Sequence, residues 1–95
     1  MRMEFGTGMG RNLRVDEIAE HSKIAEQSGF SHLTFIDSQN LSRDVYSMMT
    51  IAAVNTKHIT IGHGVTNPFT RHPSVTANAT ATIDELSGGR AFVGL

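Results

Sequence analysis

Hydrophobic and polar positions change period several times along the chain, and each change marks an element. Met3 to Gly8 reads as a short first strand, and Gly6, Gly8 and Gly10 make the loop after it permissive. Val15, Ile18, Ala19, Ser22 and Ala25 then share one helical face, with Asp16 and Glu17 in the first turn, where the helix dipole favours acids. Gly29 follows as its stop. His32 to Ile36 predicts a second strand that ends in the polar cluster Asp37-Ser38-Gln39-Asn40. Val45 to Val54 predicts a second helix burying Val45, Met48, Met49, Ala52 and Ala53. His58 to Thr66 predicts a third strand, whose β-branched Ile59, Ile61 and Val65 set among glycines suit burial on both faces. Asn67-Pro68 breaks it, and Pro73 opens a third helix at the one place where a missing N–H costs nothing. Val75, Ala79, Ile83 and Leu86 form the predicted apolar stripe of that helix, and Gly88-Gly89 supplies its left-handed stop. Ala91-Phe92-Val93 begins a fourth strand.

The order β-α-β-α-β-α-β predicts an α/β fold with a parallel sheet and right-handed crossovers. Two architectures compete: a doubly wound, Rossmann-type open sheet, and the N-terminal part of an eight-stranded (β/α)8 TIM barrel. In both, chemistry gathers at the carboxyl ends of the strands. Thr7-Gly8-Met9, Asp37-Ser38-Gln39 and Val65-Thr66-Asn67 are therefore expected to converge.

Composition narrows the picture by exclusion. The chain has 95 residues, room for one small domain at most. A net charge of −1 gives no electrostatic footprint for nucleic acid or an anionic membrane. Met1-Arg2-Met3-Glu4 leads into a glycine-rich segment rather than an apolar core, which speaks against a secretory signal, and no run approaches a membrane span. With no cysteine, disulfides, thiolate metal sites and a cysteine nucleophile are excluded. A cytoplasmic location is expected by elimination. Arg90 to Leu95 is apolar with no turn to close it, so the chain is expected to be a piece of something longer, cut within its fourth strand.

The candidate chemistry is sparse. Gly6-Thr-Gly8-Met-Gly10 after the first strand invites a dinucleotide reading, but Arg11 stands at the offset of the third glycine. The histidines His21, His32, His58, His63 and His72 lack metal-ligand spacing, and no metal site is expected. His63 and His72 lie near element ends, where local hydrogen bonding is the simpler reading. Asp37 can hold a polar group or cap its turn. Thr66-Asn67 with the N-terminus of the Pro73 helix offers donors for a phosphate or carbonyl, with Arg71 adding charge, against the plainer reading of a solvated loop. Ser38, Ser42 and Ser47 have no partner histidine or nucleophile elbow.

Two blocks carry a resemblance: Gly62-His-Gly64-Val65-Thr66-Asn67-Pro68-Phe-Thr-Arg71-His-Pro73 and Ile83-Asp84-Glu85-Leu86-Ser87-Gly-Gly-Arg90. With Ala25-Glu26-Gln-Ser-Gly29-Phe30 and Asp37 before them, the chain resembles the luciferase-like flavin-dependent oxidoreductases, and most of all their coenzyme F420-dependent, methylenetetrahydromethanopterin reductase-like branch. The resemblance implies that residues 1–95 are the N-terminal portion of a luciferase-like TIM-barrel domain. It implies an oxidoreductase or monooxygenase acting on a small organic substrate by hydride transfer, with F420 as cofactor and FMN as the alternative. Carried over residue by residue, Asp37 and Ser38 would stand near the cofactor ring, Gly64-Val65 would form a bulge backing it, often through a non-proline cis peptide, and Thr66 and Asn67 would line the same wall. Many deazaflavin members have histidine after the aspartate; this chain has Ser38 and then Gln39. A fragment of this kind is expected to be inactive alone, and its exposed strand edges invite association into a homo-oligomer.

Overall fold

A computed structural model of the chain describes residues 3–10 and 12–95. Met1 and Arg2, which begin the segment read against a secretory signal, lie outside the described residues, as does Arg11. Seven elements alternate: β1 (Gly6–Met9), α1 (Val15–Gln27), β2 (His32–Phe35), α2 (Val45–Asn55), β3 (Thr60–His63), α3 (Pro73–Ser87) and β4 (Ala91–Phe92). The strands are all parallel and lie in the order β1-β2-β3-β4. That order decides between the two architectures, because a doubly wound sheet places its first strand between later ones. Strands that add one after another in the same direction form the wall of a (β/α)8 barrel, and the Rossmann-type alternative falls.

Register sorts the side chains. Met9 stands beside Phe35, Phe35 beside His63, and Leu33 beside Ile61, so these residues share the face covered by the helices. They join Ile18, Val45, Met49, Ala52 and Ile83 in a single buried core. Gly6, His32 and Thr60 form one row of the other face, and Gly8, Thr34, Gly62 and Phe92 the next. Five of these seven residues are glycine or threonine, and His32 and Phe92 are the bulky ones. No helix among the described residues is long and apolar enough to cross a membrane.

The helices begin where their caps allow. The Asp44 carboxylate accepts from the Ser47 N–H at 2.9 Å, and His72 Nδ1 accepts from the Ser74 N–H at 3.1 Å with Pro73 just inside the helix. Gly88, at φ 72°, ends α3 in the left-handed region. The strands are shorter than their sequence suggests. Ile59 is buried but outside β3, because its N–H donates to Glu26 Oε2 at 2.9 Å instead of to a neighbouring strand. Beyond His63, the Thr66 N–H turns to the Gly94 carbonyl at 2.7 Å. Strand β1 is displaced as well, starting at Gly6, where pairing with His32 begins.

The predicted stripe of α3 is also corrected. Its buried face is Thr76, Thr80, Ile83 and Ser87, the side that meets α2 and β4. Val75 and Leu86 sit half exposed.

One charged side chain, Glu26, helps secure the amino-terminal end of the sheet. The Glu26 carboxylate accepts from the backbone N–H groups of Lys57, His58 and Ile59, at 2.9, 2.6 and 2.9 Å to Oε2. Burial pushes this carboxyl up, but the three backbone donors outweigh it and hold it below its ordinary value. A depressed pKa means stability that is present above the unfolded value and lost as pH falls through the folded one. Glu26→Gln is expected to cost about 1–2 kcal/mol near neutral pH, the range for hydrogen bonds to a charged group at a partly exposed site. Urea denaturation as a function of pH checks this: the difference between the two proteins should shrink as the pH is lowered through the acid range.

Candidate functional site

At the carboxyl end of the sheet the loops after β2 and β3 meet around one carboxylate. Asp37 follows β2 on the side of the helices, and its side chain is 2% exposed. Four donors converge on it. Gln39 Nε2 donates to Oδ1 at 3.1 Å, the Thr66 hydroxyl donates to Oδ2, and the Arg71 guanidinium donates to both oxygens, at 3.2 Å for Oδ1. Burial raises the Asp37 carboxyl, yet the hydrogen bonds from Arg71 and Thr66 outweigh it and hold the group below its ordinary range. Arg71 is raised in turn, chiefly by its bond to Asp37. Asp37 is thus a fixed anion at neutral pH and no proton donor.

Arg71 reaches further than its carboxylate. Its guanidinium lies 3.7 Å from Asp44, the cap of α2, and 4.9 Å above the Tyr46 ring in a cation–π contact. Tyr46 meets the ring of His63 edge-on at 5.3 Å between centroids. His63 is 1% exposed, and among the described residues its imidazole has only the Phe92 backbone within reach as a polar neighbour besides Asp37 and Arg71. Burial holds its imidazole below the ordinary pKa, against the pull of Asp37. His63 is neutral filling between the sheet and α2.

Between buried His63 and buried Thr66 the chain exposes Gly64 and Val65, joined by a cis peptide bond. The Gly64 N–H donates to the Phe35 carbonyl at 2.9 Å, which ties this ledge to the end of β2. A methyl on Gly64 would lie 2.7 Å from the Thr34 Cβ, and one on Gly94 would run into the His63 carbonyl. The ledge therefore presents bare backbone and one apolar side chain, backed by close contact on its own side.

Of the residues singled out by sequence, Asp37 and Thr66 are joined directly, and Gly64 and Val65 lie on the same loop beside them. Ser38 is spent on its own loop: its N–H donates to Ser42 Oγ at 3.3 Å and its carbonyl accepts from the Leu41 and Ser42 N–H groups. Asn67 likewise accepts from the Phe69 and Thr70 N–H groups at 2.9 and 3.0 Å, closing a local turn. Met9, expected in the convergence, is buried in the core. Asp44 and Tyr46 are the parts that sequence reasoning passed over, and Arg71, expected to add charge beside Thr66-Asn67, is instead paired with Asp37. The available signal was Asp37 itself, since a carboxylate at the end of a buried strand needs a cation nearby.

A sequentially ordered parallel sheet with its polar cluster at the carboxyl ends defines the class: this is the opening arc of a (β/α)8 barrel whose mouth carries the site. Residues 2–95 match the luciferase-like monooxygenase family along their whole extent, and the chain belongs to that family. It is 45% identical over 93 residues to the 5,10-methylenetetrahydromethanopterin reductase of Methanolobus tindarius, covering 98% of this chain and 28% of that protein. The chain thus spans little more than a quarter of the length of this relative. The solved structure of the coenzyme F420-dependent tetrahydromethanopterin reductase from Methanopyrus kandleri superposes with a TM-score of 0.91 at 39% identity, over 98% of this chain and 26% of the other. A type II Baeyer–Villiger monooxygenase from Pseudomonas putida, solved in complex with FMN, shares the fold alone, with a TM-score of 0.83 at 18% identity over 98% of this chain and 29% of the other.

The ledge yields a direct test. Gly64→Ala should cost about 1–3 kcal/mol, the range for an added methyl in a filled space. Combining it with Thr34→Gly should recover part of that loss. A double-mutant cycle of denaturation midpoints measures the coupling, and additive losses would show that Thr34 is not what fills the space.

Proposed function

We propose that this chain forms the first arc of an oxidoreductase barrel that transfers a hydride between coenzyme F420 and a small organic substrate, with FMN as the alternative cofactor. The observation that carries the reading is the exposed Gly64–Val65 ledge, bare backbone and one apolar side chain set between buried His63 and Thr66 at the carboxyl end of the sheet. Such a surface suits the face of a planar ring. Gly64, Val65 and Thr66 would hold the ring from this side, with Asp37, Ser38 and Asn67 behind or beside them. The deazaflavin, when bound, would supply the hydride chemistry; this chain would supply one wall, with the Asp37–Arg71 ion pair behind it.

The choice of F420 over FMN rests on degree of likeness. The relatives of this chain at 39% and 45% identity are an F420-dependent reductase and a methylenetetrahydromethanopterin reductase, whereas the FMN-bearing neighbour is 18% identical. A cytoplasmic setting and the absence of nucleic-acid and membrane partners belong to the same reading, supported by the chain's lack of cysteine and its net charge of −1. So does self-association: β1 and β4 each have a single neighbour, leaving two open edges that a second copy can cover.

A chimera tests the proposal. Residues 1–95 would replace the matching segment of the Methanolobus tindarius reductase, and the product would be assayed with reduced F420 and 5,10-methylenetetrahydromethanopterin. Retained turnover, with F420 preferred over FMN in a fluorescence titration, is the expected result. A folded chimera that binds neither cofactor overturns the reading. The 95-residue chain alone is expected to bind F420 weakly or not at all, and tight stoichiometric binding to it would show that this arc suffices as a cofactor module.

A further inference from the structure

We propose that Arg71 is the positioning residue of this site: anchored by Asp37, Asp44 and the Tyr46 ring, it clamps the loop after β3 so that Thr66 and the Gly64–Val65 ledge hold one fixed geometry. The proposal rests on the oxidoreductase reading for what the ledge binds, and not for how the ledge is held.

The argument starts from the saturation of Asp37. An ionised carboxylate offers about four lone-pair sites, and Gln39, Thr66 and the two Arg71 nitrogens supply four donors. Nothing is left for a ligand, and the side chain is buried. Asp37 therefore acts on the site through what it holds. Two of its three partners, Thr66 and Arg71, come from the same loop, one near its start and one near its end. That loop is closed on a single carboxylate like a strap on a buckle. The near end follows the ledge directly, and the Thr66 N–H fixes it further to the Gly94 carbonyl. The far end is set against α2, because Arg71 also reaches Asp44 and stacks on Tyr46.

Removing the guanidinium would leave a buried carboxylate without its cation. Such a group takes up a proton or moves toward water, and either change loosens its grip on Thr66. Lysine is a poor substitute, because one ammonium cannot reproduce a fork that binds two oxygens and lies flat on a ring. The charged and titratable groups facing Asp37 are Arg71 from the β3 loop, His63 from β3, Asp44 and Tyr46 from the start of α2, and Arg43 from the loop between β2 and α2.

The test uses the 15N-labelled chain, with Arg71→Met, Arg71→Lys, Asp37→Asn and the exposed control Lys23→Met. The readout is the amide resonances of Val65 and Thr66, followed against pH, with circular dichroism to confirm the fold. In the unmodified chain both resonances should titrate with a common midpoint below the ordinary carboxylate range. In Arg71→Lys and Arg71→Met that midpoint should move up and the neutral-pH positions should change. In Asp37→Asn the titration should vanish, and Lys23→Met should match the unmodified chain. If Arg71→Met does not fold, Arg71→Lys carries the measurement, because it keeps the charge. Val65 and Thr66 resonances that stay in place, with the same midpoint, in a folded Arg71 variant overturn the proposal. A shifted loop whose chimera still binds F420 with unchanged affinity supports the positioning role and counts instead against the assignment of the ledge to the cofactor.

Discussion

The guanidinium of Arg90 is the contact on which the arrangement of the sheet depends. Carbonyl groups at the end of a helix have no partner within it, and here the ends of α2 and α3 are brought against the entry to β3. Arg90 donates to the carbonyls of Ala53, Thr56, Ile59 and Ser87 and to the Thr56 hydroxyl, at 2.7 to 3.1 Å. Each buried acceptor left open would cost about 1–3 kcal/mol, so one side chain offsets a penalty comparable with the stability of a small domain. Its own carbonyl accepts from the Ile61 N–H at 2.7 Å, which joins the start of β4 to β3. Glu26 performs the complementary task, since it accepts N–H groups where Arg90 satisfies carbonyls. The entry to β3 is thus held between an anion from α1 and a cation preceding β4, and strand register follows from charge as much as from turns.

With the amino-terminal face fixed in this way, the carboxyl face is free to be built from loops. The same device recurs there with the signs exchanged: a buried anion at the end of a strand gathers donors from the next loop. The difference lies in what each clamp touches. Arg90 and Glu26 bind main-chain groups and set the positions of whole elements. Asp37 binds only side chains, and two of the three, Thr66 and Arg71, belong to a loop whose backbone is otherwise held at Gly64 and Thr66. Rigid strands below and a side-chain clamp above give a site that can be reshaped by loop residues without disturbing the sheet, which is how barrels carry their chemistry.

The sequence shows the scaffold more fully than the site, and the reason is range. Pro73, Gly88 and the apolar run of α2 act within a few residues, and the observed bounds of α2 and α3 follow them closely. Strand ends depend on which partner a backbone N–H finds, so the predicted span from His58 to Thr66 shrinks once Glu26 and Gly94 claim the outer residues. The α3 stripe failed for a related reason: periodicity reveals an apolar face, but neighbouring elements decide which face is covered. Resemblance pointed to Asp37, Thr66 and the Gly64–Val65 pair, where the cis peptide stands as expected. Arg71 reads as a charge beside Thr66-Asn67, and its pairing with Asp37 escaped because the two lie far apart in the chain. Read locally it is one charge in a polar loop, and only the fold turns it into the counter-ion of a buried carboxylate.

Exposed apolar side chains are also unevenly placed, and their distribution carries meaning that their number does not. Phe5, Val15, Ile24 and Phe30 lie on or beside β1 and α1, while Val75, Leu86, Val93 and Leu95 lie on α3 and along β4. The interior strands β2 and β3 show no such residue within their bounds. Apolar surface thus borders both open edges of the arc, while Leu41, Val54, Val65 and Phe69 are exposed away from them. An apolar groove bounded by Pro68, Pro73, Ala77, Val93 and Leu95 runs along the β4 edge. A sheet shaped to end there would carry charge or proline on its outer strands to block further pairing. These edges carry apolar residues instead, and β4 itself offers Ala91 and Phe92. Both open sides of the arc thus carry apolar surface in place of the charge or proline that blocks pairing, and the Gly64–Val65 ledge stands at the carboxyl end of the sheet between them.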